Sequence, residues 1–359
     1  MPRTKGITLA SLAMLLVPAV LLGQDQNSAR PGTINYIEGQ VAIDGQVLSS
    51  SAQGTIDAQT GQVITTGNGR AEVLLTPGVF LRMGKNSAVK MISPDLTQTV
   101  VGLERGHADI EVDQIYKQNN IVVVNKGVQT RLLQTGLYAF TAATGTATGA
   151  ATGAATGAAT GAATGAQPGL VQVFDGKAVV FDGNTPGQVE RSLTASMPSE
   201  KPTIVKGGHE LALTGDGGKP EHFDKNTAQN PLYNWSSLRS EYLGEANMQV
   251  ASEYAGGYAG GAGYGPGWFW NEGLLGYTWL PGEGAFLNPF GYGFYSPYYL
   301  YGGGARLGYG GYGGYGRLGG YGRRGFAGGG YIATAGGFRG AAVSGFHGGG
   351  GGGAGGGRR

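Results

Sequence analysis

From Thr33 to Leu213 the apolar residues come in short runs divided by turn pairs at intervals of about eight to twelve residues, the spacing of an all-β domain. Helical periodicity is absent there. Val41 and Ile43 lead into Asp44-Gly45 and then Val47, while Val73 and Leu75 lead into Thr76-Pro77-Gly78-Val79 and then Leu81 and Met83. Each is a hairpin signal: Asp-Gly suits the primed turns that match strand twist, and Pro77-Gly78 fits the two central positions of a type II turn. Further strands are expected at Val89–Ile92, Val100–Leu103, Ala108–Val112, Ile121–Val124, Val128–Leu133, Leu137–Phe140, Val171–Phe174, Lys177–Phe181 and Glu210–Leu213. Such short alternating strands fit a sandwich, a roll or a solenoid equally well.

Between Ala143 and Ala166 the tetrad Ala-Thr-Gly-Ala recurs without a charge or a large apolar residue, so it cannot contribute to a core. The runs on either side read as strands, and the simplest account is a hairpin whose turn has been enlarged by a disordered repeat. Closing a longer loop costs only about 0.6 kcal/mol per doubling. Downstream, Asn230-Pro231 offers an N-cap and a first-turn proline, and Leu232, Trp235, Leu238, Tyr242, Ala246 and Val250 come after it at helical spacing. This predicts one amphipathic helix, about 231 to 253, whose apolar stripe either packs on the β-body or docks another protein. Residues 265 to 301 hold thirteen aromatics, with Gly and Pro between them and only Glu272 and Glu283 charged. Such a segment can adhere to surfaces, but the glycines make it costly to hold the rings in one geometry, so the sequence establishes no fixed binding site there.

Composition sharpens the division of the chain. Of 359 residues 73 are Gly, and 42 of those fall after residue 254. Residues 302 to 359 contain 29 Gly, seven Arg and no acid, which reads as a disordered tail, whereas residues 24 to 301 carry a net charge of −7. Domains are thus expected at 31–213 (β-domain, interrupted by the 143–166 repeat), 214–254 (linker and helix), 255–301 (Gly/aromatic segment) and 302–359 (tail). At the other end, Arg3 and Lys5 precede an apolar stretch from Ile7 to Leu22 that turns polar at Gln24, the layout of a secretory signal over residues 1–23. That stretch is shorter than the roughly 20 residues of a membrane span, so no transmembrane segment is expected once it is removed. The chain lacks Cys, which excludes disulfides, thiolate nucleophiles and Cys-based metal sites.

The order Gly39-Gln40-Val41, the run ITTGNGRAEVLLTPGVFLRMGKNS (Ile64 to Ser87), VGLERGHADIEV (Val101 to Val112) and VQVFDGKAVV (Val171 to Val180) resemble the FecR-like extracytoplasmic domain. The resemblance spans about residues 34 to 213 and implies a β-rich, non-enzymatic module. In the iron-dicitrate regulators that give the family its name, an anti-sigma segment and a membrane helix precede this domain; this chain reads as an exported, stand-alone relative without them. The expected fold class is therefore all-β, many short strands in a FecR-like β-roll, sandwich or solenoid, followed by one amphipathic helix and a Gly/Tyr/Arg-rich tail.

Several residues invite a chemical reading. His107, Asp109, Glu111 and Asp113 alternate with apolar residues and so share one strand face, where imidazole and carboxylate could meet a cation. An i, i+2 row spreads too widely to close a coordination shell, and the pattern predicts a solvated face opposite a buried one. His209, His222 and His347 stand in separate segments with no catalytic spacing around them. Gly84-Lys85-Asn86-Ser87 ends like a phosphate loop, but no helix signal comes after it, so it reads as a turn. The Arg-Gly-Tyr tail resembles RGG-type RNA-binding segments, and export argues against that partner. No catalytic, cofactor-binding or metal-ligating residue is expected. The expected partner is a protein or glycan of the cell envelope rather than nucleic acid, with the aromatic and Arg-rich tail as an alternative adhesive element.

Overall fold

The structure is a computed structural model and describes residues 29–144, 167–181, 202–214, 218–257 and 265–301. The Ala-Thr-Gly-Ala repeat from residue 145 onward, the leader segment and the Arg-rich tail lie outside the described residues.

The chain alternates between two sheets. β1 (Ile34–Glu38) belongs to the first, and β2 (Val41–Ile43), β3 (Gln46–Val47) and β4 (Val63–Thr66) to the second. β5 (Arg70–Leu74) and β6 (Val79–Met83) return to the first, β7 (Ala88–Pro94) and β8 (Gln98–Arg105) to the second, and β9 (His107–Val112) to the first. The same exchange continues through β10 (Asn120–Asn125) and β11 (Val128–Leu132), then β12 (Gly136–Thr141) and β13 (Gly169–Val173). It ends with β14 (Lys177–Phe181) and β15 (Thr203–Lys206) in the second sheet and β16 (His209–Leu213) and β17 (Glu221–His222) in the first. The result is an eight-stranded sheet, β1-β5-β6-β9-β12-β13-β16-β17, and a nine-stranded sheet, β15-β14-β11-β10-β8-β7-β4-β2-β3. Neighbours are antiparallel except β8 and β10, which run parallel.

Period-two alternation explains the layering. On β6, Val79, Leu81 and Met83 point to one side; on β9, Ala108, Ile110 and Val112 do the same, and these residues meet Val89, Met91, Val101, Leu103, Ile121 and Val123 of the nine-stranded sheet in one core. The turns form as their residues dictate. Asp44 (φ 49°) and Gly45 (φ 81°) both take the left-handed conformation of a type I′ turn. Gly78 has φ 82°, and the Val79 N–H donates to Thr76 O at 2.7 Å, closing the turn set by Pro77. β12 and β13 pair antiparallel with Tyr138 opposite Val173, so the repeat does separate two partnered strands.

The opposite face of the eight-stranded sheet is covered by a helix and two hairpins from the C-terminal side of the sandwich. α1 (Pro231–Gly257) starts at Asn230, whose Oδ1 accepts from the N–H groups of Leu232 and Tyr233, both at 2.9 Å. Its buried face holds four of the six residues of the predicted stripe, Leu232, Trp235, Ala246 and Val250, and adds Ser236, Arg239, Ser240, Leu243 and Asn247, while Leu238 and Tyr242 of the stripe are exposed. The stripe departs from the buried face at Leu238 and Tyr242, because the sheet beneath the helix is charged and several contacting positions are therefore polar. The Gly/aromatic segment, to which the sequence assigns no elements, is structured. It folds into two hairpins, β18 (Gly267–Asn271) with β19 (Gly276–Leu280) and β20 (Ala285–Leu287) with β21 (Gly293–Tyr295), and a short α2 (Pro297–Tyr301). Trp279 and Phe294 are fully buried with Leu74, Phe80 and Leu243, and this second apolar cluster fixes the rings despite the glycines between them.

Candidate functional site

On the face of the eight-stranded sheet that meets α1, charged residues occupy positions flanked by apolar neighbours in sequence. Glu72 on β5 stands opposite Arg82 on β6, and Arg82 stands opposite Asp109 on β9. Glu111 and Asp113 continue the β9 row. The Arg82 guanidinium donates from Nε to Glu72 Oε2 at 2.8 Å and from Nη1 to Glu111 Oε2. From α1, Arg239 Nη2 donates to Glu72 Oε1 at 3.0 Å, Ser240 donates to Glu111, and Ser236 donates to Asp109 Oδ2 at 2.9 Å. The hairpins close the remaining side: Asn288 Nδ2 donates to Glu111 Oε1 at 2.7 Å, and Asn35 Nδ2 bridges Glu72 Oε1 and Tyr277 O, both at 2.9 Å. At the margin, Trp235 Nε1 donates to Glu38 Oε2 at 2.8 Å, Arg70 pairs with the same carboxylate at 3.0 Å, and the Arg239 guanidinium lies 4.0 Å from the Tyr36 ring centroid.

The expected solvated face is therefore buried. Asp109, Glu111 and Asp113 do share one face, but they are 2%, 0% and 4% exposed, and α1 and the hairpin residues bond directly to the first two. His107, at the start of the row, is exposed, with Nδ1 3.1 Å from Thr141 Oγ1. Among the described residues no three His or acidic side chains are gathered as a metal site.

Electrostatics sort these groups into two kinds. Burial alone would raise the Glu72 carboxyl, but Arg239 and Arg82 outweigh it and bring the pKa down to about 2. Burial would likewise lower the Arg82 pKa, and Glu111 and Glu72 reverse that, so the guanidinium stays charged. Asp109 behaves differently: burial dominates and pushes it up to about 7, against the hydrogen bond from Ser236 and the charge of Arg82. Asp113 is raised well above its ordinary value by burial and by the charge of Glu111, and neither of its oxygens finds a donor among the described residues. Two guanidiniums thus balance two carboxylates, leaving Asp109 and Asp113 as the protonatable excess. The arrangement fastens the helix to the sheet and leaves its carboxylates no open face toward solvent.

The other sequence candidates are placed apart from this cluster. Gly84 to Ser87 is the turn between β6 and β7, with Asn86 at φ 52° and the Thr66 hydroxyl donating to Gly84 O at 2.5 Å, and the chain continues as a strand. His209 and His222, distant in sequence, become direct neighbours across β16 and β17, while His347 lies outside the described residues. A pocket of about 230 Å³ opens beside that hairpin, lined by Leu170, Glu210, Thr214, Lys219 and Glu221 among others, below the roughly 300–1,000 Å³ usual for small-molecule sites. Sequence reasoning missed Glu72, Arg82 and Arg239. Their signal is a charge set between apolar residues within a strand, Ala71-Glu72-Val73 and Leu81-Arg82-Met83, which a one-sided sheet would not need to pair.

No family model matches the chain, and no curated protein matches it. The solved structures to which it is similar include two of a proposed anti-sigma factor from Parabacteroides distasonis ATCC 8503, at 2.50 and 1.65 Å resolution. The identities are 14% and 13%, the TM-score is 0.30 in both, and the match covers 46% of this chain. It covers 63% and 61% of theirs, so this chain spans less than two thirds of the length of those neighbours.

Proposed function

We propose that this chain is an exported, non-catalytic binding or sensory module of the bacterial cell envelope, a FecR-like domain that acts through contact with a protein or glycan. The observation that carries the reading is the contrast between the edges of the two sheets. The outer edge of β1 is occupied, since Ile34 N donates to Ile56 O at 2.9 Å and Gly54 N to Ile34 O at 2.8 Å. The nine-stranded sheet ends instead on β3 and β15, and among the described residues nothing pairs with their outer sides. Each presents a β-branched residue to solvent, Val47 at 65% and Ile204 at 47% exposure. An open edge offers a ladder of N–H and C=O groups to an extended partner, and side chains beside it select among partners. The buried charges, by contrast, are engaged in holding α1. The leader segment and the FecR-like motifs supply the envelope setting.

The test combines location with contact. A tagged full-length chain expressed in a Gram-negative host is expected in the extracytoplasmic fraction, with an intact mass lacking the first 23 residues or so. A photoreactive residue at position 204 is expected to yield a discrete adduct in that fraction, absent when the probe sits at Leu287 on β20. An uncleaved cytoplasmic chain would overturn the export reading, and equal adducts from both probes would overturn the edge reading.

A further inference from the structure

The β16–β17 hairpin places two like pairs face to face: His209 opposite His222, and Glu210 opposite Glu221. Because side chains alternate, the two imidazoles share the side of Leu211 and Leu213, and the two carboxylates lie on the other. The imidazole ring centroids are 5.6 Å apart with the planes at 79°. Two imidazoles bound to one ion at about 2.0–2.1 Å through nitrogen hold their centroids about 4.5–5.5 Å apart, so the rings already stand close to a chelating separation. His209 Nδ1 lies 3.3 Å from Gly207 O. A carbonyl only accepts, which assigns the proton to Nδ1 and leaves the Nε2 lone pair available, the arrangement by which a backbone carbonyl orients a metal-bound histidine. On the partner strand, His222 Nε2 lies 3.8 Å from where a Cβ on Gly208 would sit, and Lys225 Cε lies 3.7 Å from the same point, so the space beside that nitrogen is bordered by the end of a flexible lysine chain that must turn away to admit a cation. His222 is exposed and His209 half-buried, so the pair is reachable from solvent.

We propose that His209 and His222 form a two-imidazole site for a borderline transition dication of the Cu²⁺, Ni²⁺ or Zn²⁺ class, with water completing the shell. The chemistry selects that class: two nitrogen donors suit these ions, whereas Ca²⁺ and Mg²⁺ require oxygen, and the hairpin's carboxylates face away. Binding would clip the two-residue strand β17 to β16. It is independent of the envelope reading above.

The probe is the metal salt alone, titrated calorimetrically into the full-length chain at about pH 7.5, where imidazole competes weakly for protons. One equivalent of Ni²⁺ or Zn²⁺ is expected to bind, with Cu²⁺ tighter than either. H222Q, on an exposed edge position, is expected to weaken binding by at least about the tenfold that loss of a ligand's orienting partner already costs, and H209Q similarly. H107Q and H347Q, which remove the other two histidines, are expected to leave the affinity unchanged. Absence of binding at about 100 µM metal, unchanged affinity in H222Q, or an equal loss in H107Q would each overturn the site, the last by showing general surface-histidine binding.

Discussion

Arg82 shows what a single buried charge contributes here. Its side chain is fully buried, and it donates to carboxylates on both neighbouring strands, Glu72 and Glu111. A buried ion pair is weak evidence of net stability, since desolvation offsets much of the attraction. Removing one member is a different matter, because the partner charges stay behind without compensation. Arg82→Leu is expected to destabilise the protein by about 3–5 kcal/mol, read as a lower urea midpoint with unchanged slope. Arg82→Lys is expected to recover only part of that loss, since a single ammonium cannot reproduce the two-sided fork of the guanidinium. Equal stability of Arg82→Leu and the parent would show that Glu72 and Glu111 are satisfied by Arg239, Asn35, Ser240 and Asn288 without it.

At the scale of elements, α1 is held by groups that titrate in opposite directions. Asp109 has a pKa of about 7 in the folded protein against an ordinary 3.8, so between those values the folded state keeps a proton that the unfolded chain releases. Stability therefore falls as pH rises from about 4 to about 7, by up to about 1.4 kcal/mol per tenfold change in proton concentration. Asp113 acts in the same direction. Glu72, lowered from 4.5 to about 2, contributes stability that is lost as pH falls through that interval. The two slopes place the maximum in mildly acid solution. Asp109→Asn, which still accepts from Ser236, is expected to flatten the fall between about pH 5 and pH 7.5 in urea denaturation; an identical slope in parent and variant would show that Asp109 does not set it. The same element shows what the sequence could and could not reveal. Strands were legible because Val79, Leu81 and Met83 or Ala108, Ile110 and Val112 alternate against a core, and because Asp44-Gly45 and Pro77-Gly78 have local causes. The helix is legible in position and, through Leu232, Trp235, Ala246 and Val250, in part of its face. Its contacting residues, Ser236, Arg239, Ser240 and Asn247, include three that answer charges on strands more than a hundred residues upstream, and local periodicity reports burial of apolar groups only.

For the molecule as a whole, the decisive surface is the outer face of the eight-stranded sheet, which is unfinished without residues 265 to 301. Leu74 and Phe80 on that face meet Trp279, Tyr277 and Phe294, and the Phe80 and Trp268 rings stack edge to face with centroids 5.0 Å apart. Polar contacts run through the same region: Asn247 Nδ2 donates to Trp279 O at 2.8 Å, the Thr278 hydroxyl to Leu243 O at 2.7 Å, and Asn288 to Glu111. The Gly/aromatic segment looks adhesive in sequence because its rings have no local partners; in three dimensions many of its rings are spent on the sheet and on α1. Burying each large side chain of this kind is worth about 1.5–3 kcal/mol, and the loss of several together is comparable with the whole stability of a typical domain, about 5–15 kcal/mol. A chain ending at Tyr301 retains these contacts, and one ending at Gly257 leaves Leu74, Phe80 and Leu243 facing water and Glu111 without Asn288. The shorter chain is expected to melt at least about 10 °C below the longer one, or to bind ANS at room temperature, as a domain with an uncovered apolar face does. Matching melting temperatures and no dye binding would show that the sandwich and α1 stand without the hairpins, and the segment would then be available for contacts outside the body.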